Sequence, residues 1–286
     1  MSTVSTVLDE LYHGHRAVQS YKDVETVTGL FSDLLVHEMN IPEYADDEDL
    51  SVLDIACGTG AATASLYAAL PRQKWDTTKV LATDISQPFL EFIKERGARE
   101  GWKAMETKSA EGANVDAPAA SFSHILLNFG IMFMGPSLLP TCLSLLRPGG
   151  AIGITTWHVL PWHDQVSRAA SLLSPSPKVL TQQELLKTYH FKEGQFEDPA
   201  YMKRILEEAG FVDVRSEVRE CTTVTTNEVV ARTLGIPLKL IGNEWEEDTR
   251  QQVRELVLQG LAEKFGEEGP AKLKWVGVVT VGRKAG

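Results

Sequence analysis

Between residues 15 and 38 apolar side chains recur at helical spacing, with Val27, Leu30, Phe31, Leu34 and Leu35 among them, and this predicts an amphipathic N-terminal helix. An acidic stretch, Ala45-Asp46-Asp47-Glu48-Asp49, reads as a turn. The period then changes. Leu50-Ser51-Val52-Leu53-Asp54-Ile55 is a short aliphatic run of the kind a strand shows when both its faces are buried, and it ends in Ala56-Cys57-Gly58-Thr59-Gly60. Ala61 to Leu70 predicts a helix stopped by Pro71, and Lys79 to Asp84 a second buried strand ending in an acid.

The alternation continues with a helix over Pro88 to Glu100, a weak strand within Trp102 to Lys108, and a strand over Ser123 to Asn128. A helix over Pro136 to Leu146, the turn Pro148-Gly149-Gly150 and a strand over Ala151 to Trp157 follow. After Trp157 the rhythm breaks into helical and loop-like sequence up to residue 200, with Pro161, Pro175, Pro177 and Pro199. A helix from Pro199 to Ala209, a strand from Val212 to Glu220, a largely helical stretch from Asn227 to Phe265 and a strand from Leu273 to Gly282 complete the chain. Strands alternating with helices predict an α/β fold: a doubly wound, mostly parallel, Rossmann-like sheet of seven strands with an antiparallel last strand and helical cap insertions. The expected divisions are an N-terminal helical cap over 1–44, a binding core over 45–157, a cap insertion over 158–200, and the end of the sheet over 201–286 with a helical insertion at 227–270.

Composition narrows the picture. The 286 residues are 43% hydrophobic, and a chain of this length buries roughly 75% of its unfolded surface, enough for a full core without disulfides or a structural metal. A net charge of −11 and the lack of a basic run with interleaved aromatics argue against nucleic acid and anionic membrane surfaces as partners. Cys57, Cys142 and Cys221 form no Cys-x-x-Cys pair, so neither a disulfide framework nor a zinc site is expected. Met1 to Arg16 holds no apolar run of the secretory type, and the cytoplasm is the expected location. The uncharged stretch from Ile125 to Leu146 is long enough to span a bilayer, but Asn128, Gly130, Gly135, Pro136 and Pro140 interrupt it; a strand, a turn and a helix account for it better.

The chemistry starts at the glycine loop. Gly58 and Gly60, just past a buried strand, let a ligand approach the backbone beside a helix N-terminus. The third glycine of a dinucleotide fingerprint would fall at position 63, which is Thr63. Asp54 would repel a pyrophosphate and welcome a cation such as the ammonium of S-adenosylmethionine. Asp84, ending the second strand, is placed to accept ribose hydroxyls, with a helix N-cap as the alternative role. No G-x-S-x-G elbow suggests a hydrolase.

With these residues, the chain resembles the class I S-adenosylmethionine-dependent methyltransferases. Asp54-Ile55-Ala56-Cys57-Gly58-Thr59-Gly60 is similar to the family's first motif, with Ala56 where glycine is common; Ala82-Thr83-Asp84-Ile85-Ser86 resembles the second, and Leu145-Leu146-Arg147-Pro148-Gly149-Gly150 the turn before the fifth strand. Tyr21-Lys22, Phe129-Gly130 and Thr156-Trp157 resemble fungal small-molecule enzymes of the gliotoxin thiomethyltransferase kind. The resemblance implies cofactor contacts from Tyr21, Asp54, Ala56, Gly58, Thr59, Gly60, Asp84 and Ile85, with Ala110 and Glu111 near the adenine and Asn128, Phe129 and Gly130 beside the methionine end.

Methyl transfer is an in-line displacement at an activated carbon, so neither metal nor strong acid is required. Phe133, Trp157 and Trp162 are candidates for an acceptor pocket, and His158 and His163 for a base, which a hydroxyl acceptor needs and a partly ionised thiol does not. His124 is expected inside the sheet, and His13, His15 and His37 on or near the first helices. The expected function is methylation of a small-molecule acceptor of the secondary-metabolite type, a thiol among the options, with S-adenosylhomocysteine as product. An NAD(P)-dependent oxidoreductase, and a non-transferring S-adenosylmethionine-binding protein or cyclase, are the rivals.

Overall fold

The computed structural model describes residues 17–47, 49–160, 162–189, 193–242 and 244–286; His13 and His15 lie outside them. Its strands are β1 (Ser51–Ile55), β2 (Lys79–Asp84), β3 (Met105–Ser109), β4 (Phe122–Asn128), β5 (Leu146–Val159), β6 (Val212–Thr225) and β7 (Ala271–Arg283). They form one seven-stranded sheet in the order β3-β2-β1-β4-β5-β7-β6. β1 pairs in parallel with β2 and β4, as do β2 with β3 and β4 with β5. Gly149 N–H donates to the Lys284 carbonyl at 3.1 Å and Lys284 N–H to the Gly150 carbonyl at 2.8 Å, which sets β7 antiparallel to β5. The order reverses between β1 and β4, and in such a sheet ligands bind at the carboxyl ends of the strands beside that reversal.

Alternation along the central strands sends successive side chains to opposite layers. Leu53, Ile125 and Ile152 lie in line across β1, β4 and β5, and with Ile55, Leu127 and Ile154 they pack against Met202 and Leu206 of a helix at Pro199–Glu208. On the other face lies α1 (Ala17–Glu38), whose Phe31, Leu35 and Val36 are fully buried. Glycines let it come close: a Cβ on Gly153 would fall 2.8 Å from Leu35 Cδ1, and one on Gly277 would fall 2.6 Å from Phe31 Cε1. His124 lies within the sheet as expected, edge-on to Tyr44 at 4.8 Å, and burial holds its pKa down at about 3, so the ring stays neutral.

Three local readings are corrected. The acidic stretch is mostly helical, as part of α2 (Ile41–Asp47), because a fully buried Ile41 anchors the first turn and Pro42 suits it. The helix expected over 136–146 is broken into a 3₁₀ turn at Pro136–Leu138 and a helix at Leu139–Leu145, where Pro140 has no N–H to continue an earlier helix. The Pro-Gly-Gly turn is itself part of β5, since Lys284 pairs with it. Among the described residues no helix is long and apolar enough to cross a membrane.

The chain divides into two compact units. One holds the described parts of 27–158, 190–219 and 277–286; the other holds the described parts of 1–26, 159–189 and 220–276. The second unit is built on helices at Trp162–Ser171, Asn227–Thr233 and Glu247–Phe265. Within it Trp245 Nε1 donates to the Lys178 carbonyl at 2.8 Å, Trp275 Nε1 to Thr223 Oγ1 at 2.8 Å, and Arg232 meets Asp23 at 3.3 Å.

Candidate active site

At the end of β1 the backbone turns through left-handed conformations at Ala56 (φ 54°), Gly58 (φ 52°) and Gly60 (φ 85°), a region that costs a side-chain-bearing residue such as Ala56 roughly 1 kcal/mol or more. The loop is fixed by Cys57 N–H to the Thr83 carbonyl at 2.9 Å and by Arg96 Nη1 to the Thr59 carbonyl at 3.0 Å. A Cβ on Gly58 would meet nothing within 4 Å, so the backbone there faces open space. A Cβ on Gly60 would lie 2.7 Å from Ile93, on the helix that follows β2. Gly60→Ala is therefore expected to lower stability by about 1–3 kcal/mol, from overpacking and backbone strain together. A urea midpoint equal to wild type would contradict this.

Two buried carboxylates sit against the loop. Asp54, 1% exposed, accepts from the Thr63 hydroxyl at 2.6 Å, so the side chain at the missing third glycine is used to hold the acid. Burial pushes its pKa up to about 7, against the opposing pull of the Thr63 hydroxyl and N–H and with some help from Asp84. Asp84, 6% exposed, accepts from Gly58 N–H at 2.9 Å through one oxygen and from Ser86 N–H at 2.9 Å through the other, tying the two strand ends together. Burial, with Asp54 and Asp84 nearby, raises the Cys57 thiol well above its usual range, which makes it a packing group.

At the ends of β4 and β5, Thr155 does work that the sequence did not reveal. Its hydroxyl donates to Asn128 Oδ1 at 2.6 Å and accepts from Phe129 N–H at 3.0 Å, and this holds Phe129 in a left-handed conformation (φ 53°). A polar Thr155-Thr156 pair in an otherwise aliphatic strand was the available signal. Phe129 packs on Trp157 with centroids 4.3 Å apart, and both meet Phe31 edge-on at 5.4 and 6.0 Å. Phe31, read only as part of an apolar helix face, is thus the floor of this cluster. Gly130 brings the two loops together, since a Cβ there would stand 3.2 Å from that of Ala56.

The other expected residues divide between the units. Ile85 is 51% exposed beside Asp84, Ala110 N–H donates to the Asp84 carbonyl at 3.1 Å, Glu111 is exposed, and Phe133 N–H donates to the Gly130 carbonyl at 3.1 Å. His158 Nδ1 lies 2.8 Å from the Glu197 carbonyl; because a carbonyl only accepts, Nδ1 is the donor, and in the neutral tautomer that this contact selects Nε2 is the acceptor. Tyr21, Trp162 and His163 belong to the second unit. There Trp162 is buried and His163 Nε2 donates to the Leu180 carbonyl at 2.8 Å.

Residues 52–150 match the family model described as a methyltransferase domain. Those residues make a methyltransferase domain, and the relatives that the whole chain resembles are methyltransferases. Over 97% of its length it is 23% identical to the whole of methyltransferase tpcH from Aspergillus fumigatus. It is also 25% identical, over 97% of each chain, to the acetylaranotin bis-thiomethyltransferase of Aspergillus terreus. Phosphoethanolamine N-methyltransferase 2 of Haemonchus contortus, solved with phosphomonomethylethanolamine and S-adenosylhomocysteine, shares the fold at a TM-score of 0.55 and 12% identity, covering 100% of this chain and 61% of that one.

Proposed function

We propose that S-adenosylmethionine binds over the carboxyl ends of β1, β2 and β4, and that the enzyme methylates a small-molecule acceptor of the secondary-metabolite type, with a thiol as the first class to test. The observation that carries this reading is the pair of left-handed non-glycine residues Ala56 and Phe129 beside two buried carboxylates, because backbone strain of order 1–3 kcal/mol per residue concentrates at ligand sites. The open space over Gly58 and the exposed face of Ile85 fit a nucleoside.

In this assignment Asp84 uses its remaining lone pairs on the ribose hydroxyls, and Ile85, Ala110 and Glu111 surround the adenine. Gly58, Thr59 and Gly60 flank the nucleoside; Asp54, Ala56, Asn128, Phe129 and Gly130 surround the amino-acid end. When bound, S-adenosylmethionine supplies a methyl group already activated on a sulfonium. Phe129 and Trp157 offer aromatic faces suited to a cation, and Phe133 and Trp157 line the acceptor side. His158 Nε2 takes the proton of a hydroxyl acceptor, whereas a thiol, partly ionised near neutral pH, needs no base. The name of the Aspergillus terreus relative speaks for sulfur.

Titration calorimetry with S-adenosylhomocysteine, NAD and NADP tests the reading. Binding of the first alone supports it, and binding of a nicotinamide nucleotide instead overturns it. Thiol, amine and hydroxyl acceptors are then screened by product mass, where a gain of one methylene unit marks transfer. The titration also has an expected pH dependence. A cationic ammonium beside Asp54 favours its ionised form, so affinity rises with pH through the Asp54 pKa of about 7 and then levels off. Asp54→Asn should flatten that rise. A wild-type affinity with no pH dependence across this range removes Asp54 from the ammonium site.

A further inference from the structure

The sheet ends in β6, a strand of 14 residues with no strand on its outer side among the described residues. An open edge of that length is a template for pairing with another chain unless something blunts it. Most of its side chains are exposed, and Val212, Val218 and Val224 are 41%, 38% and 59% exposed, three of the few large apolar side chains on the surface of the described residues. Charges on edge strands usually repel a partner, but here their order does the reverse. Past Asp213, whose left-handed backbone (φ 51°) interrupts the alternation of sides, Arg215, Glu217 and Arg219 alternate in sign along one side of the strand.

We propose that the chain self-associates through β6, two copies pairing edge to edge and antiparallel about a two-fold axis through Ser216. In that register Arg215 faces Glu217 of the second copy, and Val214 faces Val218. The two-fold repeats each pairing. Opposite charges directly across an antiparallel pair attract and like charges repel. Moving the axis by one residue sets Arg215 against Arg215 of the second copy, or Glu217 against Glu217 and Arg215 against Arg219, so the charge order itself selects the register.

The groups are available for this. Among the described residues Arg215 donates only to the Glu38 carbonyl, at 3.1 Å. Glu217 is bound to Arg219 through one oxygen, which leaves the other for Arg215 of the second copy.

Sedimentation velocity on the full chain over a range of concentrations tests the proposal. The expected species is a dimer of twice 31.5 kDa that shifts towards monomer as salt rises. Glu217→Arg places like charges opposite Arg215 and should weaken the dimer by about tenfold or more, while Arg215→Glu combined with Glu217→Arg restores it. Circular dichroism checks that each variant is folded, and Glu217→Gln, which only removes the attraction, replaces Glu217→Arg if that variant is not. A wild-type chain that stays at 31.5 kDa, a dimer indifferent to the Glu217 substitution, or a folded double variant that remains monomeric would overturn the proposal.

Discussion

Replacing Asp84 with alanine is expected to weaken S-adenosylhomocysteine binding by about 1.5–3 kcal/mol, roughly 10- to 150-fold, the range for a lost hydrogen bond to a charged group. The carboxylate has two duties. It faces the proposed ribose position, and it already holds Gly58 N–H and Ser86 N–H at 2.9 Å each. Alanine removes both, and the freed loop adds to the loss. Asp84→Asn separates them, because its single amide oxygen still accepts from one of the two N–H groups but carries no charge for the ribose. Unchanged affinity in Asp84→Ala would take Asp84 out of the cofactor site and leave it as a tie between β1 and β2.

The second large effect is expected at Phe31. Truncation to alanine leaves a cavity under Phe129, Trp157 and Gly277 and should cost about 3–5 kcal/mol, read as a fall in the urea midpoint. Binding should fall as well, since the left-handed Phe129 loses one wall of its packing. Phe31→Leu, which keeps most of the volume, should cost much less. A loss below about 1 kcal/mol in Phe31→Ala would mean that the neighbours collapse into the space, a behaviour known to vary between sites.

These residues also show where the sequence was informative. β2 is legible because Val80-Leu81-Ala82 stays aliphatic where both faces of the strand are covered, and the glycine loop is visible because left-handed turns favour glycine. β3 was faint, since its Met-Glu-Thr-Lys-Ser lies at the sheet edge with little burial to leave a pattern. The extension of β5 through Pro148-Gly149-Gly150 was illegible for another reason: its partner Lys284 lies at the far end of the chain. The same holds inside the site. Types and spacing pointed to Asp54 and Asp84, but that Thr63 holds the first and Gly58 the second, or that Phe31 meets Phe129, depends on contacts that no local pattern records.

The division of the chain bears on how it is made. The second unit draws on three separate segments, and its ion pair between Asp23 and Arg232 joins residues 209 positions apart. At a synthesis rate of about 5–20 residues per second, Asp23 waits roughly 10–40 s for its partner to be polymerised. No contiguous fragment contains either unit alone, so neither can be finished on the ribosome before the last strand emerges. The apolar face of the first helix, Phe31 included, must stay shielded from aggregation until β7 arrives to cover it.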